Sequence, residues 1–169
     1  EAWQAFKRGG RHLGCVQAPL IIGNFRQNML TRMFAFEYSA LFRGLLPWFA
    51  RQGLVIPLGG TSNHFRRECL EVVGGWDAYN VTEDADLGLR LARYGYHVSV
   101  ITRGTVEDAP EHYEIWHKQR TRWLKGWMQT WLVHNRRPLT ACRELGLKRF
   151  LVNQIYTVGI LASALVHPF

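Results

Sequence analysis

Two short runs in this sequence hold residues whose types and spacing could do chemistry. The first is Val81-Thr82-Glu83-Asp84-Ala85-Asp86-Leu87, with three carboxylates in close succession. A hydroxyl is a poor nucleophile, and a carboxylate within hydrogen-bond reach can take its proton as it attacks. Asp84 is the candidate base: a helix start favours its charged form, while Glu83 beside it raises its proton affinity toward a useful range. Asp86 has a simpler partner in Arg90, four residues on. The second run is Gln119-Arg120-Thr121-Arg122-Trp123. On a helix Gln119, Arg122 and Trp123 sit at i, i+3 and i+4 and form one cluster. Arg122 and Gln119 could then meet a pyrophosphate, whose developing charge needs cations and donors. Trp123 would offer a flat apolar face to a sugar ring.

These residues need helices to hold them. Thr82 is a good N-cap, and Leu87, Leu91 and Tyr94 follow at helical spacing, so the acids fill the first turn of a helix that Gly95 closes. An acidic first turn also stabilises any helix, by about 0.3–1 kcal/mol per exposed carboxylate, so alone it is an ordinary feature. Residues 110–134 form the longest helix candidate. Trp116, Trp123, Trp127 and Trp131 share one arc of about 80°, and Lys118, Arg122, Lys125 and Gln129 share another. Such a helix lies in a membrane interface or turns its aromatic side to a core.

Around these, residues 13–22 read as a buried strand interrupted by Pro19, residues 54–56 as a short strand, and residues 96–102 as another, which implies an α/β layer. Residues 26–51 repeat apolar side chains at helical spacing, but Glu37, Arg43 and Arg51 argue against a span, and Pro47 should kink or end the helix. Gly59-Gly60-Thr61-Ser62-Asn63 lets backbone approach a ligand closely, although it also suits an ordinary turn. A short helix near residues 68–73 leads to the Gly74-Gly75-Trp76-Asp77 turn. Residues 150–166 are mostly apolar and stop at Pro168, as at the start of a membrane span. Arg136, Arg137, Arg143, Lys148 and Arg149 before them would lie on the cytoplasmic side.

The 169 residues carry a net charge of +8, with 47% apolar residues and seven Trp. That permits a core and favours a polyanionic partner, whether a membrane, a phosphorylated ligand or nucleic acid. Cys15, Cys69 and Cys142 show neither disulfide nor zinc spacing and read as reduced thiols. Both ends read as cut, as in a piece of a longer protein.

Thr82-Glu83-Asp84 followed by Gln119-Arg120-Thr121-Arg122-Trp123 resembles the TED and QxxRW pair of membrane-bound family 2 glycosyltransferases, the group of cellulose, hyaluronan and poly-N-acetylglucosamine synthases. Cys15-Val16-Gln17-Ala18-Pro19, Gly60-Thr61-Ser62-Asn63 with Arg66-Arg67, and Gly74-Gly75-Trp76 are similar to further stretches of that family in the same order. The resemblance implies an α/β partial GT-A fold. Residues 1–134 would be the C-terminal part of the catalytic domain, with an amphipathic interface helix over about 111–134. Residues 135–169 would be a basic linker and the start of a transmembrane helix. It also implies an inverting transfer from a nucleotide-sugar donor, a UDP-sugar, to a glycan or lipid acceptor. Asp84 would be the base, with Glu83 and Thr82 beside it in the motif. Gln119, Arg122 and Trp123 would contact donor and acceptor, with an acceptor-side loop on Gly60, Thr61 and Ser62. A divalent metal, Mg or Mn, would be held by residues before Glu1 rather than in this segment, which would then be inactive alone. The implied setting is a bacterial inner membrane with the catalytic part facing the cytoplasm.

Two other classes stay open. A basic, aromatic-rich module could bind nucleic acid by stacking, but Thr82-Glu83-Asp84 would repel phosphates. A non-catalytic membrane scaffold would be indifferent to loss of Asp84.

Overall fold

The computed structural model describes residues 1–166. Helix α1 (Ala2–Gly9) leads into β1 (Leu13–Gln17), β2 (Leu20–Ile22), α2 (Met29–Ser39), a π-helical turn (Ala40–Leu45) and α3 (Leu46–Arg51). Then come β3 (Asn63–Phe65), α4 (Arg67–Val72), α5 (Glu83–Arg93), β4 (His97–Val100) and β5 (Thr105–Glu107). Three helices close the chain: α6 (Tyr113–His134), α7 (Pro138–Leu145) and α8 (Leu147–Val166).

β1 is buried along its whole length because both its edges are paired. It runs antiparallel to β3, with Val16 opposite His64, and parallel to β4, with Val16 opposite Ser99. Ala18 and Pro19 interrupt the apolar run expected as one strand, and β2 beyond them pairs instead with β5 in a second, parallel sheet. This α/β architecture bears out the partial GT-A expectation. The core lies between β1, the α2 to α3 helix and α5, where Cys15, Leu46, Ile56, Leu87 and Leu91 are essentially inaccessible. Each fully buried Leu or Ile stabilises the fold by roughly 1.5–3 kcal/mol.

Four local expectations change. Residues 54–56 are buried but form no strand. β1 has no free edge to offer them, and they cross α5 where Gly88 lacks a side chain: a Cβ there would stand 2.4 Å from the Ile56 carbonyl oxygen. Pro47 does not end the helix, which runs on to Arg51. The wide turn before it takes up the missing N–H and the ring's clash with the preceding turn. The stretch expected as a basic linker carries α7, whose Leu145 is buried with Val55, Leu89 and Ala92 and whose Glu144 pairs with Arg93 at 2.6 Å. Finally, the aromatic arc of α6 packs inward. Trp123 lies 6.4 Å from Phe34, Trp127 meets Tyr156 edge-on at 6.0 Å, and the Trp131 Nε1–H donates to Gln154 at 2.7 Å. Lys118 and Lys125 of α6 are exposed, as is Arg122 at the edge of its inward-packed side.

Helix α8 begins at Leu147 and is long and apolar enough to cross a membrane, with a mean hydropathy of 1.4. Gln154 and Thr157 face the protein, where Gln154 bonds Trp131 and Asn135 of the α6 end, while Leu151, Ile155 and Val158 are exposed. Pro168, expected to stop this helix, lies outside the described residues.

Candidate active site

The start of α5 and the middle of α6 meet across a cleft of about 500 Å³. Its walls include Thr82, Glu83, Asp84, Gln119, Arg122, Trp123, Gly60 and Thr61, so the structure gathers eight of the nine residues singled out in the sequence. Ser62 is the exception. It holds the loop instead, with its backbone at φ 61°, its carbonyl accepting from Ala18 N and its hydroxyl donating to Thr105 at 2.5 Å.

Asp84 stands half-buried at the floor. Its Oδ1 accepts the Ala85 N–H at 2.7 Å. Gly60 faces its other oxygen: a Cβ on Gly60 would lie 3.4 Å from Oδ2, so the glycine leaves that carboxylate open to the cleft. Burial pushes the Asp84 carboxyl up to about 6, against the Ala85 bond that lowers it and with help from the Glu83 charge. A carboxylate poised there is charged at neutral pH yet basic enough to take a proton.

Thr82 occupies the N-cap position, and its carbonyl accepts from Asp86 N at 3.1 Å, but its hydroxyl caps nothing. It is buried between Asn80 Oδ1 at 3.4 Å and Thr130 Oγ1 at 3.3 Å, and Asn80 also donates to Thr130 at 2.9 Å. Gly126 makes this contact possible, because a Cβ there would stand 2.5 Å from the Thr82 methyl. The cost of a glycine inside a helix was the available signal of that close approach.

Gln119, Arg122 and Trp123 share the cleft-facing side of α6 as their spacing predicts. Gln119 Oε1 is buried without a hydrogen-bond partner among the described residues, and Arg122 is exposed at the rim. Sequence reasoning passed over Arg120, which holds this side of the cleft together. Its guanidinium forks onto Glu37 of α2, with both contacts at 2.5 Å, and lies within 4.9–5.6 Å of the Phe34, Trp116 and Trp123 ring centres. A planar guanidinium can do both at once, and an ammonium cannot.

The sequence model for glycosyl transferase family group 2 matches residues 2–168. The chain belongs to glycosyl transferase family group 2. Similar proteins include the probable glycosyltransferase YdaM of Bacillus subtilis, 32% identical over 121 residues, which are 65% of this chain and 28% of that protein. A beta-monoglucosyldiacylglycerol synthase of Synechocystis sp. is 30% identical over 151 residues, 83% of this chain and 30% of the relative. One of Trichormus variabilis is 30% identical over 126 residues, 71% and 26% respectively. The chain therefore spans less than a third of the length of these relatives.

Other residues of this candidate site were given no role of their own in the sequence reading. Gln17 is fully buried and anchors the glycine loop, accepting the Gly59 N–H at 2.8 Å and donating to the Thr61 carbonyl at 3.0 Å. Tyr38 and Glu107 line the far wall. Burial, then the Glu107 charge, pushes the Tyr38 hydroxyl up, and burial raises the Glu107 carboxyl. Behind α5, Asp86 binds Arg90 and also His134, each at 2.7 Å. Arg93 donates to His134 Nδ1 at 2.8 Å, which assigns the ring proton facing Asp86 to Nε2. Burial alone would raise the Asp86 carboxyl, but His134 and Arg90 hold it below the usual carboxylate range. Among the described residues no three His, Cys, Asp or Glu side chains converge as a metal site, so these residues do not by themselves fit a divalent cation.

Proposed function

We propose that this chain is the base- and acceptor-bearing part of a membrane-associated, inverting glycosyltransferase that moves a sugar from a nucleotide donor, a UDP-sugar, to a hydroxyl of a lipid or glycan acceptor. The observation that carries the reading is the convergence in one cleft of a carboxyl at about 6, an arginine, a free amide oxygen and a tryptophan face. Asp84 takes the acceptor hydroxyl's proton as that oxygen bonds to the anomeric carbon. The bond to the diphosphate breaks on the opposite face, which inverts the configuration. Arg122 and Gln119 meet the departing diphosphate, and Trp123 stacks on a sugar. Glu83 sharpens the basicity of Asp84 by its charge, and Thr82 fixes the start of α5 against α6. The Mg or Mn ion implied by the resemblance would be held by residues preceding residue 1, and no step above runs through it.

Acceptor choice follows from the walls. Tyr156 and Ile160 of α8 line the same cleft, so a helix long and apolar enough to span a membrane borders the site. This favours an acceptor presented from a lipid surface, in keeping with the lipid product named for two of the relatives. The setting proposed is a bacterial inner membrane with the cleft on its cytoplasmic side. The test is Asp84→Asn in the full-length protein, assayed with UDP-sugars and lipid or oligosaccharide acceptors. Transfer should fall by about 10²–10⁴ with donor affinity nearly unchanged. A variant that transfers at the normal rate would remove Asp84 from the base role, and a wild-type full-length protein that transfers nothing would favour the scaffold reading.

A further inference from the structure

Thr82 and Asp86 stand four residues apart at the start of α5, and Thr130 and His134 four apart at the end of α6, so each pair shares one side of its helix. The pairs meet as two buried rungs: Thr82 Oγ1 lies 3.3 Å from Thr130 Oγ1, and Asp86 Oδ1 lies 2.7 Å from His134 Nε2. Two residues of a helix turn through about 200°, so Asp84, midway between Thr82 and Asp86, projects from the opposite side of α5. That side is the cleft, where Gly60 leaves its carboxylate open. The rungs therefore fix the rotation of α5 about its own axis, and any change in that rotation swings Asp84.

Both ends of the second rung are held from behind. Arg90 Nε donates to the other Asp86 oxygen at 2.7 Å, and its Nη1 donates to the Val73 carbonyl at 2.6 Å. Arg93 Nη1 donates to His134 Nδ1 at 2.8 Å, while its Nε donates to Glu144 of α7 at 2.6 Å. With Nδ1 accepting, the ring keeps its proton on Nε2 and donates it to Asp86. Trp131 and Asn135, at the same end of α6, both bond Gln154 of α8 at 2.7 Å. His134 is thus a donor seated on a fixed point, and exposures of 7% for it and 4% for Asp86 keep solvent from the bond. Such a buried pair adds little stability over well-packed apolar residues, but its direction specifies one arrangement. We propose that His134 is a positioning residue for sugar transfer: through Asp86 it holds the first turn of α5 in the rotation that aims Asp84 at the acceptor hydroxyl. Neither His134 nor Asp86 lines the cleft, so the effect is exerted through Asp84. This rests on the reading of Asp84 as the base.

The test compares two amides at position 134 of the full-length protein, since each keeps a different half of the imidazole. His134→Gln retains a donor near Nε2 for Asp86. His134→Asn retains an acceptor near Nδ1 for Arg93 and loses that donor. A misplacement of about 1 Å can cost on the order of 100-fold in rate. The kcat for transfer should therefore stay within about threefold of wild type in His134→Gln and fall about 10–100-fold in His134→Asn, with donor Kd unchanged in both. Beside Asp84→Asn, His134→Asn should cost no further rate, although it lowers Tm equally in both backgrounds. Thr130→Val, which cuts the first rung with little change of shape, is the second arm and should show the same dependence on Asp84. Losses that multiply in the double variants would overturn the proposal, and so would equal kcat in the two amides. An Asp84→Asn protein that transfers normally would instead sink the base reading and this proposal with it, so the two failures are told apart.

Discussion

Asp84 is held where its two protonation states have opposite consequences. Its carboxyl sits near 6 in the folded chain against 3.8 for a free side chain. As a base it must be charged, so transfer should rise with pH through about 6 and level off above it, which a pH profile of kcat in the full-length enzyme would show. Stability runs the other way. Between about 4 and 6 the folded state binds more protons than the unfolded one, so this group's contribution falls as pH rises through that window. Asp84→Asn should therefore melt higher than the wild type at pH 7–8, by the order of 1–2 kcal/mol after solvent screening, with the gap closing toward pH 4. An unchanged melting temperature across that range would mean the carboxyl is not perturbed. Trp123 is a harder residue, since it touches Phe34 and Arg120 on one side and the cleft on the other. Trp123→Ala should cut transfer to acceptor more than it cuts hydrolysis of the donor, whereas Arg122→Ala should impair both. Equal losses in Trp123→Ala with a melting drop worth about 3–5 kcal/mol would leave Trp123 as packing alone.

At the scale of elements, the site depends on how closely α6 passes the start of α5. Gly126 is the contact point, and Gly126→Ala would drive a Cβ to 2.8 Å from the Thr82 hydroxyl and closer to its methyl. The expected cost is about 1–3 kcal/mol, with a loss of transfer because Asp84 shifts with the helix start. Thr82→Ala in the same chain should recover part of both, since it removes the two nearest atoms. Thermal melts and rates of the two single variants and the double variant would show this coupling, and purely additive losses would count against it. The buried Asp86, Arg90 and His134 group braces the opposite side of α5, which accounts for a carboxylate of the acidic run that faces away from the cleft.

For the whole molecule, the cleft gathers the residues proposed as base and acceptor contacts, and the described residues supply no metal cluster. The isolated 169-residue chain, kept in detergent, should give a cooperative melt yet transfer no sugar, while the full-length protein does; transfer by the isolated chain would show that its own residues suffice. Much of this site was legible in the sequence because it is local. The spacing of Thr82, Glu83 and Asp84 puts the acids in one helical turn, and Gln119, Arg122 and Trp123 fall on one side of α6 wherever that helix lies. Helix periodicity depends on the backbone alone, so the tryptophan arc was visible too. Which way that arc turned was not, because membrane and core are equally apolar and only α2 and α8 packing against it decided the matter. The same holds for Arg120 on Glu37, 83 residues apart, for His134 on Asp86, 48 apart, and for Gln17 beneath the glycine loop. A strand such as residues 54–56 needs a partner edge, and a buried charge needs a counterpart from another element. No run of neighbouring residues records either, so these were decided only when the chain closed on itself.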